Sequence, residues 1–551
     1  MNAGHFASVL SMCGLLLVAS LATADDATAP ANKPQLRAEI DRYVAEAWAK
    51  QSITPADGAS DEEFVRRVYL DLLGRIPKYE ETLAFLDNAA ADKREKLIEQ
   101  LLAQPRFGVH QSDVWDMIYF GRNPPGYDTD KRDGFQTWLA DQFNKNVPYD
   151  KWAGDILRAE GNTVEQGAPM FYVQYKNQPE DATEAITQKF LGVQLQCARC
   201  HDHPFEKWTQ MEFYGMAAFV ARLQVVDSGM KGKLKSYAIG EKNTGDVLFT
   251  GPAAQQVPGK KGEPVKPKFL GGAPLEEPEP PKDLKEANFP NGKEPPPPKF
   301  SRKDALAAWI TSPENPYFAR AAVNRLWAQF MGKGLVHPID NLSPKNPASH
   351  PELLDLLTDE FKAHQFDVKW LLTELLNSRT YQLSSRSPVP DTHPAWFERA
   401  AYRPLSAEEL FESWLEAVGY HDMLAANKEE LKERFQAQGI TWDYIRRFFG
   451  RPNDGVGNFQ GGLHEHLYLN NGQVHQLITE RKGSLYDTLS QASTPWETRV
   501  ERLYLQTLSR RPTPEETQRF VAHLSASDDP RGRLHEAIWT LITCSEFRFN
   551  H

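Results

Sequence analysis

Four cysteines occur in 551 residues, and two of them stand three positions apart in Cys197-Ala198-Arg199-Cys200-His201-Asp202-His203-Pro204. Cys-x-x-Cys-His is the attachment signature of c-type haem. A tight loop of this length brings both sulfurs under the two vinyl edges of one porphyrin, and the next residue offers an imidazole to the iron. Cys197 and Cys200 are read as thioether anchors and His201 as the proximal ligand. Two other chemistries use the same residues. Cys197, Cys200, His201 and His203 could hold Zn or Fe directly, and the two thiols could form a small redox disulfide. A haem used for electron transfer wants a distal ligand, and Met211, Met216, Met170 and His110 are the candidates; a vacant sixth position would favour small-molecule binding or catalysis. Far downstream, His464 and His466 flank Glu465 beside a glycine-rich stretch, with His475 beyond, a second possible metal cluster if they lie on a strand.

The chemistry depends on compartment. Leu15–Leu21 is an apolar run too short to span a bilayer, followed by Ala22-Thr23-Ala24, so residues 1–24 read as a secretory signal, although its first residues carry no Lys or Arg. A secreted or periplasmic location is expected, where thioether attachment takes place. After signal removal no stretch is long and apolar enough for a membrane span. Three cysteines then remain, too few for a disulfide scaffold. Lys and Arg number 63 against 74 Asp and Glu, a net charge of −11, which argues against nucleic acid as a partner. Apolar content of 40% and charged content of 25% are those of an ordinary globular protein.

The elements that would position the motif are helical. Residues 25–60 form a tether and a polar helix near Leu36–Ala49. Asp61 caps a helix with Phe64, Val68 and Leu72 on one stripe, ended by Gly74; Pro77 opens a second, and a third covers about Lys93 to Leu102. This unit recurs: Arg67 to Pro77 is echoed by Arg502 to Pro512, Glu80-Glu81-Thr82 by Glu515-Glu516-Thr517, Phe85 by Phe520 and Phe107 by Phe547. Residues 66–107 and 501–547 are therefore duplicated three-helix units, and Arg67, Arg75, Arg502 and Arg510 are read as capping and salt-bridging residues. Pro179 starts the helix that runs into the cysteines. Thirteen prolines lie between Gly251 and Pro298; residues 225–300 read as a Pro/Gly-rich linker with short strands at Val247–Phe249 and Lys268–Leu270. Strong helices follow, among them Phe318–Met331. The expected fold is mainly α: a helical domain over 61–224 and another over 301–551, joined by that segment with minor β.

Phe64 to Pro77 and Phe190 to Trp208 resemble the planctomycete secreted cytochrome-like domain. Phe318-Ala-Arg-Ala-Ala-Val-Asn324-Arg325-Leu-Trp327, Gly332-Lys-Gly334 and His350-Pro351-Glu352 resemble the planctomycete secreted domain that follows it. The resemblance covers most of residues 61–548 and implies two domains of unknown function. Many relatives carry a separate cytochrome domain upstream; this sequence holds no second Cys-x-x-Cys-His. His203 and Pro204 belong to the family pattern as firmly as His201, which adds some weight to the Cys-Cys-His-His alternative. Besides the haem protein, the sequence is compatible with a Zn- or Fe-dependent exported enzyme or with a scaffold; an exported redox or scaffold protein is the expected partner. Cys544 is expected to be a buried core thiol.

Overall fold

In the computed structural model, residues 35–121, 132–251, 262–279, 295–390, 392–428, 465, 467–469, 473–491, 493–526 and 529–551 are described. Residues 1–24, read above as a signal, and His464 and His466 lie outside the described residues. The chain divides into two units, Met1–Gln35 and Leu36–His551, and the described helices and strands all lie in the second.

The fold is mainly α with minor β, and its periodic segments became helices. α1 (Leu36–Gln51) leads into α2 (Asp61–Leu73). The cap of α2 is Ser60 rather than Asp61: its hydroxyl accepts from the Glu63 amide at 3.2 Å, and Asp61 is the first helical residue. Gly74 ends α2 at φ +65°, a conformation only glycine adopts without a Cβ penalty. α3 (Tyr79–Leu86) and α4 (Lys93–Ala103) complete the first three-helix unit, and α5 (Pro105–Phe120) continues it. α6 (Asp133–Asn144) and α7 (Tyr149–Arg158) carry an aromatic core in which Trp115, Tyr149 and Trp152 meet edge-on or tilted at 4.8–5.7 Å between ring centres.

β1 (Gly161–Asn162) pairs with β3 (Leu234–Glu241), which pairs antiparallel with β2 (Leu223–Lys231). Lys231 opposes Leu234, so Gly232-Lys233 is a two-residue hairpin loop, with Gly232 at φ +61°. This hairpin falls at the start of the stretch read as linker. Its lysines and glycines obscured it, although Val225, Val226, Ala238 and Ile239 are buried. β4 (Leu248–Phe249) does form, paired with β5 (Glu263–Pro264), and Lys268 makes only an isolated bridge to Pro274.

Between these lie α8 (Thr163–Gln166), α9 (Pro179–Leu191) and α10 (Gln210–Val220). α11 (Arg302–Ile310), α12 (Phe318–Met331), α13 (Pro351–Ala363), α14 (Val368–Leu376) and α15 (Ala407–Ala417) follow. One hydrophobic cluster runs from Leu36 through Phe64, Trp152 and Phe190 to Leu306, Phe318, Leu357 and Phe397. Core side chains from both sides of the 225–300 segment thus pack together. A second cluster joins Leu70 and Ile76 to Leu405, Trp414, Tyr504 and Phe547. α2 lies between the two and is buried over most of its length.

The C-terminal copy is α16 (Trp496–Leu508), α17 (Pro514–Ser525) and α18 (Pro530–Thr543). The duplication extends to polar details. Arg75 donates to both Glu81 oxygens at 2.9 and 3.0 Å, and Arg510 to both Glu516 oxygens at 2.8 Å. Glu81 and Glu516 each also accept at 2.8 Å from a backbone amide three residues back, Lys78 and Thr513. Ser509 holds the left-handed position of Gly74, at φ +59°. The two copies pack together: buried Arg66 donates to the Thr507 carbonyl at 3.3 Å and the Phe547 carbonyl at 2.9 Å, and Arg502 covers the Tyr79 ring at 4.1 Å.

Candidate functional site: the cysteine–histidine turn

α9 has Pro at its first position, where a missing N–H costs nothing, and ends at Gly192, φ +65°. The chain then descends through buried Val193 and Leu195 into a single 3-10 turn, Gln196–Arg199. Buried Ala198 is the inward residue of that turn. With Leu195 and Ala198 pointing in, Cys197 and Cys200 point out, and both thiols are exposed and free. The Cys197 carbonyl accepts from the amides of Cys200 and His201, each at 3.3 Å, so the three chemically active residues share one closed turn.

Neighbours brace it. Arg199 reaches back to Asp181 at 2.7 Å and Glu184 at 3.2 Å in α9. Its carbonyl accepts from Tyr214 at 3.2 Å, and the Asp202 carboxylate accepts from the Gln210 amide at 2.9 Å, fixing the turn to the N-terminus of α10. His201 is exposed, and its Nδ1 lies 2.8 Å from the Asp202 carbonyl. A carbonyl only accepts, so Nδ1 carries the proton and Nε2 keeps its lone pair. That is the tautomer of an imidazole ready to bind a metal through Nε2, with a carbonyl behind it.

His203 is committed differently. Its amide donates to the Trp208 carbonyl at 2.8 Å, and its Nδ1 accepts from the amides of Phe205 and Glu206 at 3.3 and 3.0 Å. It shapes the loop. Among the described residues no group of three or more His, Cys, Asp or Glu side chains is arranged to hold a metal ion. Two outward thiols and one imidazole fit thioether attachment, which needs no convergence of the sulfurs on one ion.

The distal candidates separate by burial. Met216 is 1% exposed, and Met170 and His110 are also in the core. Met211, in the first turn of α10, is 49% exposed. Phe205 at 74% and Leu248 at 51% are further large apolar side chains left exposed. Tyr214, bonded to the cysteine turn, packs on Phe249 at 5.0 Å between ring centres, so β4 adjoins the turn. Cys544 is half-buried, donates to the Leu541 carbonyl at 3.2 Å, and has its thiol pKa raised by burial.

One constellation escaped sequence reasoning. A partly enclosed cavity of about 110 Å³ is lined by Asp71 of α2, His110 of α5, Arg325 of α12, Arg403 just before α15 and Glu409 in its first turn. The Asp71 carboxylate accepts from Tyr381 and Asn550, each at 2.7 Å, and from Arg403. His110 Nε2 is 3.8 Å from Glu409, and burial pushes its pKa down to about 3. These residues are scattered from Asp71 to Glu409, and no motif spacing links them. Only His110, as a haem ligand, and Arg325, inside the Asn324-Arg325 motif, stood out.

Comparison with known families gives two matches. Residues 39–225 match the PSCyt2 family, a protein of unknown function (DUF1549). Residues 302–442 match PSD1, also a protein of unknown function (DUF1553). The chain belongs to the proteins that carry these two domains in that order. No curated protein and no solved structure matches it. Asp71 and His110 fall within the first match and Arg325, Arg403 and Glu409 within the second, so the cavity is built by both.

Proposed function

We propose that this chain is an exported protein that carries one covalently attached haem c on Cys197 and Cys200, with His201 as proximal ligand, and passes electrons through it. The observation that carries the reading is the turn itself: two free, outward thiols and an imidazole with Nε2 available, closed on one backbone carbonyl. Exposed Phe205, Met211 and Leu248 supply apolar surface for a porphyrin face. Bound there, a haem supplies one-electron chemistry; the chain's own part is to fix both sulfurs and orient the imidazole. Among the described residues no helix is long and apolar enough to cross a membrane. An exposed haem edge suits electron exchange with another exported protein. The test is intact mass in a host that matures c-type cytochromes. The wild type gains the mass of one haem, and the double variant Cys197→Ser/Cys200→Ser gains none. Wild-type protein with no added mass, and with Zn or Fe bound instead, would transfer these residues to a directly ligated metal.

A further inference from the structure

The junction cavity holds a cation that the protein does not pair. Arg325 is 7% exposed, and among the described residues its buried Nε has no acceptor and its one hydrogen bond is a long one, 3.5 Å to the Lys189 carbonyl. Among the described residues no carboxylate lies within ion-pair distance of it. Arg302, equally buried, shows the ordinary solution: it meets Glu277 at 2.6 Å, Asp246 at 3.1 Å and two backbone carbonyls. A second cation stands beside Arg325. The Lys189 amine donates to the carbonyls of Ile118 and Tyr119 at 2.5 and 2.7 Å, and its pKa falls to about 7, by burial first and then by the Arg325 charge, with the Asp340 carboxylate pulling the other way. A buried guanidinium without a counter-charge is costly and persists where something compensates it. The same cavity has an apolar wall, Val114, Ile118 and Ala328.

We propose that the cavity binds a small organic carboxylic acid, its carboxylate on the Arg325 fork and its carbon skeleton against Val114, Ile118 and Ala328. The planar guanidinium matches a carboxylate through two parallel hydrogen bonds. The apolar wall favours an acid with a hydrocarbon body over a purely inorganic oxyanion. Gln329, on the same wall, donates to Gln111 Oε1 at 3.1 Å and leaves the buried Gln111 Nε2 without an acceptor, a second unmatched donor adjoining the site. Arg403, held by Asp71, and His110 also line the cavity and suit a hydroxyl or carbonyl on the acid.

The test is calorimetric titration and thermal melting of the full mature chain with acetate, lactate and succinate, at ionic strength held constant with chloride. The wild type binds at least one acid saturably, with a matching rise in melting temperature. Arg325→Met weakens binding about thirtyfold or more and melts no lower than the wild type without ligand, because an unpaired buried charge has been removed. Arg325→Lys keeps the charge, folds, and binds more weakly than the wild type. Lys145→Gln, at an exposed helix end, leaves binding unchanged. No saturable response to any acid overturns the proposal, as does sulfate binding more tightly than all three. Retained affinity in Arg325→Met also overturns it, as does a lower ligand-free melting temperature, which would make the charge structural.

Discussion

His201 owes its chemistry to one contact. Because the Asp202 carbonyl holds Nδ1–H at 2.8 Å, the ring presents Nε2 outward, and the next residue rather than a distant one sets the tautomer. On the proposed haem reading, His201→Ala leaves both thioethers formed but changes the reduced absorption spectrum; an unchanged spectrum would remove His201 from the proposed proximal role. Met211 is the exposed distal candidate, and an axial Met raises the potential, so Met211→Ala is expected to lower the midpoint potential measured by redox titration. The cysteine motif was legible because its spacing is short and its residues rare. The burial of Met170 and His110 was not, since each sits on a helix whose neighbours in space lie far away in sequence. His350 offers a test of burial itself. Its ring packs on Trp396 and Phe397, and burial lowers its pKa from the ordinary 6.5 to about 4, with Glu352 pulling the other way. Between those values the unfolded chain takes up a proton that the folded one refuses, so this histidine costs stability as pH falls from 6.5 to 4. His350→Gln is expected to flatten the stability–pH curve in that window by up to about 1.4 kcal/mol per pH unit, read from denaturant midpoints.

At the scale of elements, the duplicated unit was legible from residue identities alone. Arg75 with Glu81 and Arg510 with Glu516 repeat one bidentate pair at one spacing, and helix periodicity located α12 from Phe318 to Met331 to the residue. What sequence could not show is that the copies touch through Arg66 and Arg502, because packing partners more than four hundred residues apart leave no local pattern. The copies differ at one informative position. Gly74 takes the left-handed conformation freely, while Ser509 takes it with a Cβ and a buried hydroxyl that finds no partner among the described residues. Ser509→Gly is therefore expected to stabilise the chain by about 1 kcal/mol. Gly74→Ser is expected to destabilise it by more than that amount, since a Cβ there would lie 2.3 Å from His110 Nδ1. Denaturation midpoints of the two variants check both signs. The β2–β3 hairpin shows the opposite failure: Lys231-Gly232-Lys233 looked like linker, and Val225-Val226 and Ala238-Ile239 are buried side by side rather than in alternation, so no strand period stood out against the proline-rich composition that follows.

For the whole molecule, composition and periodicity made the mainly α class legible, but not how the core is shared. Leu306, Phe318 and Leu357 lie in the same cluster as Phe64 and Trp152, and the Lys303 amine, fully buried, donates to the Ala159 carbonyl at 2.8 Å. A fragment ending at residue 300 would expose that apolar surface, so it is expected to lack a cooperative thermal transition by circular dichroism; a native-like melt would show that the N-terminal part folds alone. The joint core also accounts for two matched domains in one chain, with the cysteine turn on one and the Arg325 cavity between them. Whether the turn carries haem is read most directly from an absorption spectrum of the exported protein, followed by haem staining after denaturing electrophoresis. A Soret band with stain that survives denaturation is the expected result. A colourless protein from a host that matures other c-type cytochromes would contradict it.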